Sequence, residues 1–237
     1  MVQDIKTRVE NLNWDFIQHE LDTQGFAKLP VILTKEECEF FIALYYEEES
    51  YRTTINMTRY RFGNGEYKYF SYPLPDIIQS LRESFYLELA KTANRWLGYL
   101  KKAEQFPDQL QDFLNTCEEN EQTRPTPLLL KYETGGFNCL HQDLYGDIFF
   151  PFQVVFVLNQ REKDFCGGES LLVEQIPRAQ SRGHVITLEQ GSALIFPTNH
   201  RPVQGKKGYY KNTVRHGVST VTAGERYGLG IIFHDSK

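Results

Sequence analysis

The sequence predicts an α+β fold in which a helical N-terminal layer supports an antiparallel β core. Two observations carry this. Apolar residues recur at helical spacing through the first half, and beyond Arg124 they fall into short runs separated by glycine-containing turns. The resulting organisation is a helical supporting region over residues 1–124 and a β core over 125–237, forming one structural unit.

Each element has a local cause. Val9, Leu12, Phe16 and Ile17 share a helical face. Thr34 followed by Glu37 forms a capping box ahead of Cys38, Phe41, Ile42 and Tyr45, which predicts a second helix. A third begins near Pro75 and carries Ile78, Leu81, Phe85, Leu89, Trp96 and Leu100 on one long face that needs a partner. Leu110, Phe113, Leu114 and Cys117 repeat the pattern over a shorter segment. Then "LLLKY", "FFPFQVVFVLNQ", "ESLLVEQ", "HVITL", "SALIFP", "TVRHGVSTV" and "YGLGIIFH" read as strands, enough for a sandwich or barrel.

Composition narrows the function classes. Apolar residues make up 41% and charged residues 24%, which fits a folded globular chain. No stretch is long and apolar enough for a membrane span, and the N-terminal residues lack the apolar run of a signal peptide. Cys38, Cys117, Cys139 and Cys166 show no paired spacing, so free thiols and a cytoplasmic setting are expected. The net charge of -5 argues against non-specific coating of nucleic acid. That average hides a gradient, with 13 basic against 20 acidic side chains in residues 1–120 and 13 against 11 in the rest. A surface for an anionic ligand is therefore expected in the second half.

The sharpest motif is His141-Gln142-Asp143 at the end of a strand-like run. Residues two apart on a strand point the same way, so an imidazole and a carboxylate are presented together. One further histidine completes the 2-His-1-carboxylate face that holds Fe(II) with open positions. Of the downstream histidines, His216 lies in a strand, and ten residues later Arg226 opens the next one. An arginine beside such a metal suits 2-oxoglutarate, whose keto acid end chelates the metal and whose distal carboxylate matches a guanidinium. The rival pair is His200 with Lys211, but "PTNHRPVQGKKGYYK" is rich in turn formers and reads as a loop. His184 and His234 are expected to be packing or surface histidines.

The strings "LLLKYETGGFNCLHQD", "GGESLLVEQ", "GSALIFP" and "RHGVSTVTAGERYGLGIIFHD" together resemble the Fe(II)/2-oxoglutarate oxygenase superfamily. More narrowly, with "RYRFGNGEYKYFSYPLP" and "RPVQGKKGYY", the chain resembles a bacterial family of oxygenases predicted to act on nucleic acid. The resemblance implies a double-stranded β-helix, or jelly-roll, core with the iron at its mouth. It implies His141, Asp143 and His216 as catalytic metal ligands, Arg226 as the anchor for 2-oxoglutarate, and Tyr132 as a hydrogen-bond partner of that co-substrate. Fe(II), 2-oxoglutarate and O2 are then the implied cofactor and co-substrates. The implied reaction is hydroxylation or oxidative demethylation with release of succinate and CO2.

For the substrate, the residues point two ways. Arg201, Lys206, Lys207 and Lys211 surround Tyr209 and Tyr210 just before His216, and residues 51–72 hold Arg52, Arg59, Arg61 and Lys68 among aromatics. Basic, aromatic segments suit a phosphate backbone and stacked bases. They are equally what strands give when long basic side chains are solvated and aromatics fill a core. The Gly-Gly-Glu segment and the arginine at plus ten also resemble prolyl 4-hydroxylases, so a prolyl-type protein hydroxylase is the alternative. A non-catalytic metal-binding β-helix module is the second alternative.

Overall fold

The computed structural model describes residues 3–237. Helix α1 (Ile5–Glu10) is capped by Asp4, whose side chain accepts from the Thr7 amide, and α2 (Trp14–Gln24) by Asn13, which accepts from Phe16. The single helical face expected through residue 17 is thus broken into two helices. Asn13 supplies a new start, Val9 and Ile17 are buried, and Phe16 is 56% exposed. A short strand β1 (Ala27–Val31) leads to α3 (Lys35–Leu44), where the Thr34–Glu37 capping box forms as expected. Next come β2 (Tyr51–Asn56), α4 (Met57–Tyr60), β3 (Gly63–Asn64) and β4 (Glu66–Phe70). The long helix α5 (Asp76–Tyr99) starts directly after Pro75, and α6 (Leu110–Glu119) follows.

The second half supplies β5 (Leu128–Tyr132), β6 (Phe137–His141), β7 (Phe152–Val157), β8 (Phe165–Gly167), β9 (Ser170–Gln175) and β10 (Ser181–Ile186). It closes with β11 (Ser192–Pro197), β12 (His200–Gly205), β13 (Gly208–Val218), β14 (Val221–Gly224) and β15 (Arg226–Ile232). A seven-stranded sheet runs β1-β11-β7-β15-β5-β4-β2, and a second sheet runs β10-β9-β13-β6-β3 with β12 beside β13. Residues 1–124 are therefore more than a helical layer, because β1 and β2 form the two edges of the seven-stranded sheet and β4 joins β2 to β5. These strands were hard to read because edge strands are short; β1 has five residues and is interrupted by Pro30, and β2 buries none of its six fully.

Alternation along the central strands separates two interiors. On β7, Phe152, Val154 and Phe156 enter the large core with α5, whereas Gln153 and Val155 line a cavity on the other face. On β15, Tyr227, Leu229 and Ile231 face the same core, and Arg226, Gly230 and Ile232 face the cavity. The α5 stripe covers the outer face, with Phe85 edge-on to Phe156 at 6.2 Å and Trp96 at 4.4 Å from Phe152. Each such fully buried side chain contributes roughly 1.5–3 kcal/mol. The chain end is tied to this helix by Arg82, fully buried, which donates to the Ile232 and Phe233 carbonyls, to Tyr72 Oη and to Asp235 Oδ1.

His234 sits beneath this layer, fully buried, its Nδ1 accepting from the Phe150 amide at 3.2 Å. Burial, reinforced by the charge of Arg82, pushes its pKa from the ordinary 6.5 down to about 3. The unfolded chain then takes up the proton first. The stability this residue contributes is whole above pH 6.5 and is lost as pH falls toward 3. We expect the melting temperature to fall between pH 7 and pH 5, and His234→Gln, which keeps an acceptor but does not titrate there, to flatten that slope. An unchanged slope in the variant would assign the acid sensitivity elsewhere.

Candidate metal centre

The pairing of β6 with β13 sets His141 directly opposite His216, with ring centroids 4.2 Å apart. Asp143 follows two residues past the end of β6. Its Oδ2 lies 3.0 Å from His216 Nε2 and its Oδ1 3.4 Å from His141 Nε2. One donor atom from each of the three residues lies within 4.8 Å of the others, and this is the single such group of potential ligands among the described residues. Two imidazoles and a carboxylate on one face form a donor set that suits Fe(II).

The surroundings fix these donors. His141 Nδ1 lies 2.8 Å from the Cys139 carbonyl, which leaves Nε2 facing the trio. His216 Nδ1 is buried without a hydrogen-bond partner; its ring is oriented by packing against Phe196 at 4.8 Å. Tyr145 donates to Asp143 Oδ1 at 2.6 Å. Burial opposes ionisation of Asp143, but the two imidazoles outweigh it and hold the carboxyl well below its usual range, while burial holds His216 itself below its ordinary value. Burial likewise opposes the charged form of His141, and its hydrogen bond to Asp143 more than compensates, raising that pKa. A buried anion that draws positive charge toward itself is what a cation site requires.

A cavity of about 350 Å³ connects this trio to Arg226, the first residue of β15. Its side chain is 2% exposed, Nε has no hydrogen-bond partner, and no described carboxylate forms an ion pair with it. A buried, unpaired guanidinium is costly, and a bound carboxylate removes that cost. Burial lowers its pKa, with the nearby Tyr132 and Glu169 acting against that. Gly168, at φ +65°, lets the chain pass over this arginine, since a Cβ there would come within 2.7 Å of Arg226 Cδ. Tyr132 is paired in register with Arg226 and lies beneath it, its ring centroid 5.7 Å from the guanidinium. Asn138 donates to the Tyr132 hydroxyl at 3.3 Å. Burial pushes the phenol up to about 12, so it stays a neutral hydrogen-bonding group.

The structure thus brings together all five residues singled out from sequence: His141, Asp143, His216, Arg226 and Tyr132. Arg226 does not open the strand after that of His216: β14 intervenes, and β15 lies in the opposite sheet. The segment read as a loop is a hairpin of β12 and β13, closed by Lys206 and Lys207 between Gly205 and Gly208. Its turn-rich composition reflects that tight closure. His200, on β12, stands outside the donor group, and burial together with Lys211 pushes it down to about 4. His184 packs edge-on against Phe26.

Several basic residues proposed for nucleic acid serve the fold instead. Arg201 is 7% exposed and donates to Glu174, so it offers no charge to a phosphate; this corrects the expectation for that residue. Tyr209 stacks face to face on Tyr99 at 4.2 Å, which occupies one side of its ring. Lys68 is buried against Glu48 and the Tyr45 carbonyl, and Arg52 donates to the Pro125 carbonyl while lying over Tyr69. Lys206, Lys207 and Lys211 remain exposed, as do Arg59 and Arg61. Arg61 and Phe62 line the cavity, and Tyr60 stacks on Phe62 at 5.6 Å. Tyr145 and Gln153 also line the cavity, and the sequence marks neither as a site residue. The first continues the alternation of His141 and Asp143 by two residues, and the second is a polar break in an apolar strand.

Residues 65–236 match the sequence model of the Oxygenase-NA family, described as an oxygenase catalysing oxidative methylation of damaged DNA. Two uncharacterised proteins from strains of Mycobacterium tuberculosis are each 48% identical over 167 residues, covering 70% of this chain and 72% of theirs. Among solved structures, a prolyl-4-hydroxylase from Pseudomonas putida is 16% identical with a TM-score of 0.56, covering 94% of this chain and 99% of its own. A 2-oxoglutarate-Fe(II) oxygenase family oxidoreductase from Burkholderia pseudomallei is 16% identical with a TM-score of 0.52, covering 95% and 92%. A prolyl hydroxylase from Trichoplax adhaerens, solved with a hypoxia inducible factor peptide, is 14% identical with a TM-score of 0.53, covering 98% and 92%. At these identities the solved structures establish the jelly-roll fold and leave the substrate open.

Replacing Asp143 by Ala should abolish Fe(II) or Mn(II) binding measured by calorimetry while leaving a cooperative thermal transition, since its carboxylate is aimed at the donor trio. Metal binding retained at native affinity would refute the assignment.

Proposed function

Since the chain belongs to the Oxygenase-NA family and is an Fe(II)- and 2-oxoglutarate-dependent oxygenase, we propose that it oxidises alkylated nucleic acid by hydroxylation or demethylation. The observation that carries the chemistry is Arg226, a buried guanidinium without an anionic partner in the same cavity as two imidazoles and a carboxylate. In this reading His141, Asp143 and His216 hold the metal. Fe(II) bound there supplies the redox chemistry by which O2 oxidises both the co-substrate, to succinate and CO2, and the primary substrate.

The remaining work belongs to the chain. Arg226 receives the distal carboxylate of 2-oxoglutarate, and the Tyr132 hydroxyl orients it from the same wall. Tyr145 and both histidines keep Asp143 ionised and in place. Leu130, Leu172, Leu194 and Val155 line the cavity and exclude water from it. At the rim Arg61 and Phe62 line the cavity, and the adjoining Arg59 and Tyr60 are also exposed, a combination of cations and rings that suits a phosphate backbone with stacked bases. Lys206, Lys207 and Lys211 add exposed positive charge on the β12–β13 hairpin.

No described helix is long and apolar enough to cross a membrane. A reducing cytoplasm suits Cys139 and Cys166, both exposed free thiols.

Two measurements test the proposal. Arg226→Ala should weaken 2-oxoglutarate binding about 10- to 100-fold, the loss expected from one or two charged hydrogen bonds of roughly 1.5 kcal/mol each. A non-catalytic metal module would be indifferent to that change. Succinate release should be stimulated by methylated oligonucleotides and not by proline-rich peptides. Stimulation by peptides alone would overturn the nucleic-acid reading and favour a protein hydroxylase.

A further inference from the structure

The cavity has a second end that the co-substrate does not use. On β15, Gly228 pairs with Val157 and Ile232 with Gln153, and Arg226 lies two residues before Gly228. Gln153 and Arg226 are therefore separated by six residues of strand, roughly 20 Å along its length. A five-carbon dicarboxylate held at Arg226 and at the metal does not extend to Gln153.

This second end abuts the metal donors on two sides. Tyr145 binds Asp143 and packs edge-on against Tyr69, with centroids 6.1 Å apart. Phe196, the register partner of Gln153, packs on the His216 ring. Tyr67, Tyr69, Tyr145, Leu128 and Ile232 complete the lining. None of these is cationic; the charges beside them are the Asp143 carboxylate, which Tyr145 binds, and the Arg52 guanidinium, which lies over Tyr69 but is committed to the Pro125 carbonyl and does not line the cavity. A phosphate or carboxylate finds no partner here, whereas a flat, neutral or positively charged ring finds phenol faces and edges.

Within this lining Gln153 stands apart. It is 6% exposed, and its Nε2 has no hydrogen-bond partner. An unmade hydrogen bond at a buried donor costs about 1–3 kcal/mol, which an acceptor on a bound ligand recovers. A prolyl ring offers no such acceptor, while the ring nitrogens and carbonyl oxygens of a nucleobase do. We infer that this aromatic chamber takes the alkylated base, turned out of its strand, and that the Gln153 amide recognises it by hydrogen bonding to its edge. This rests on the nucleic-acid reading above and adds to it the residue that selects the base. Phosphates remain at the rim with Arg61 and the exposed Arg59 beside it.

The test uses the full chain with Fe(II) and 2-oxoglutarate under argon, so that binding is read without turnover. Fluorescence anisotropy compares a single-stranded oligodeoxynucleotide carrying one 1-methyladenine or 3-methylcytosine with its unmodified counterpart. The native chain should prefer the methylated strand. Gln153→Met and Gln153→Asn should each reduce that preference about tenfold or more, with affinity for 2-oxoglutarate and for the unmodified strand retained. Asn keeps the amide but is one methylene short, so at least one variant conserves the polarity of the site. Preference undiminished in both variants overturns the role of Gln153 and leaves the nucleic-acid reading standing. A native chain that shows no preference for either methylated strand overturns both.

Discussion

The antiparallel register that sets His141 opposite His216 is the contact on which the rest of the site depends. Strand side chains alternate with a period of two, so a slip of one residue between β6 and β13 would turn one imidazole out of the cavity. The same slip would strand Asp143, whose buried carboxylate is balanced by both histidines and by Tyr145. Register is therefore an electrostatic matter as well as a packing one. Burying an anion without its partners costs several kcal/mol.

Across the cavity from that pair, β7 and β15 of the seven-stranded sheet divide their two faces between different tasks. One face of each strand is committed to the core with α5, which leaves the opposite face free to be hollow. A cavity of this size is a stability cost in an isolated sheet, since its lining forfeits contacts. Here the cost is offset on the far side, where Phe152, Phe156, Trp96 and Phe85 pack buried against one another. The buried Arg82 then fixes the chain just beyond β15 through two carbonyls, so the strand bearing Arg226 is anchored at its other end. The helical layer supports the chemistry indirectly, by making a rigid wall of a strand that faces both ways.

This division also decided what could be read from sequence. The Thr34 capping box, the α5 stripe and the seven apolar runs were legible because each depends on local periodicity or local hydrogen bonding. His-x-Asp was legible for the same reason, since Asp143 follows His141, the last residue of β6, at the spacing of a strand. Edge strands β1 and β2 were not, because β1 is only five residues long with a proline in it and β2 buries no residue fully. Nor were the fates of the basic residues. Arg201 and Lys68 carry the charge expected of a phosphate ligand, and only tertiary structure reveals that Glu174 and Glu48 already hold them. Composition counts charges; it cannot tell a committed charge from a free one.

The distinction between committed and free groups is also what gives the cavity its direction. Of the cations lining it, Arg226 is buried at one end and Arg61 exposed at the rim, and the chamber beside Gln153 has none. Anionic groups are thus drawn to the two places where a guanidinium lacks a partner. The space between them, against the metal donors, is left to a ring that brings no negative charge. The fold common to the prolyl hydroxylases of similar shape does not dictate that sorting. It arises from the particular side chains that this sequence places on the inner faces of β4, β5, β7 and β15.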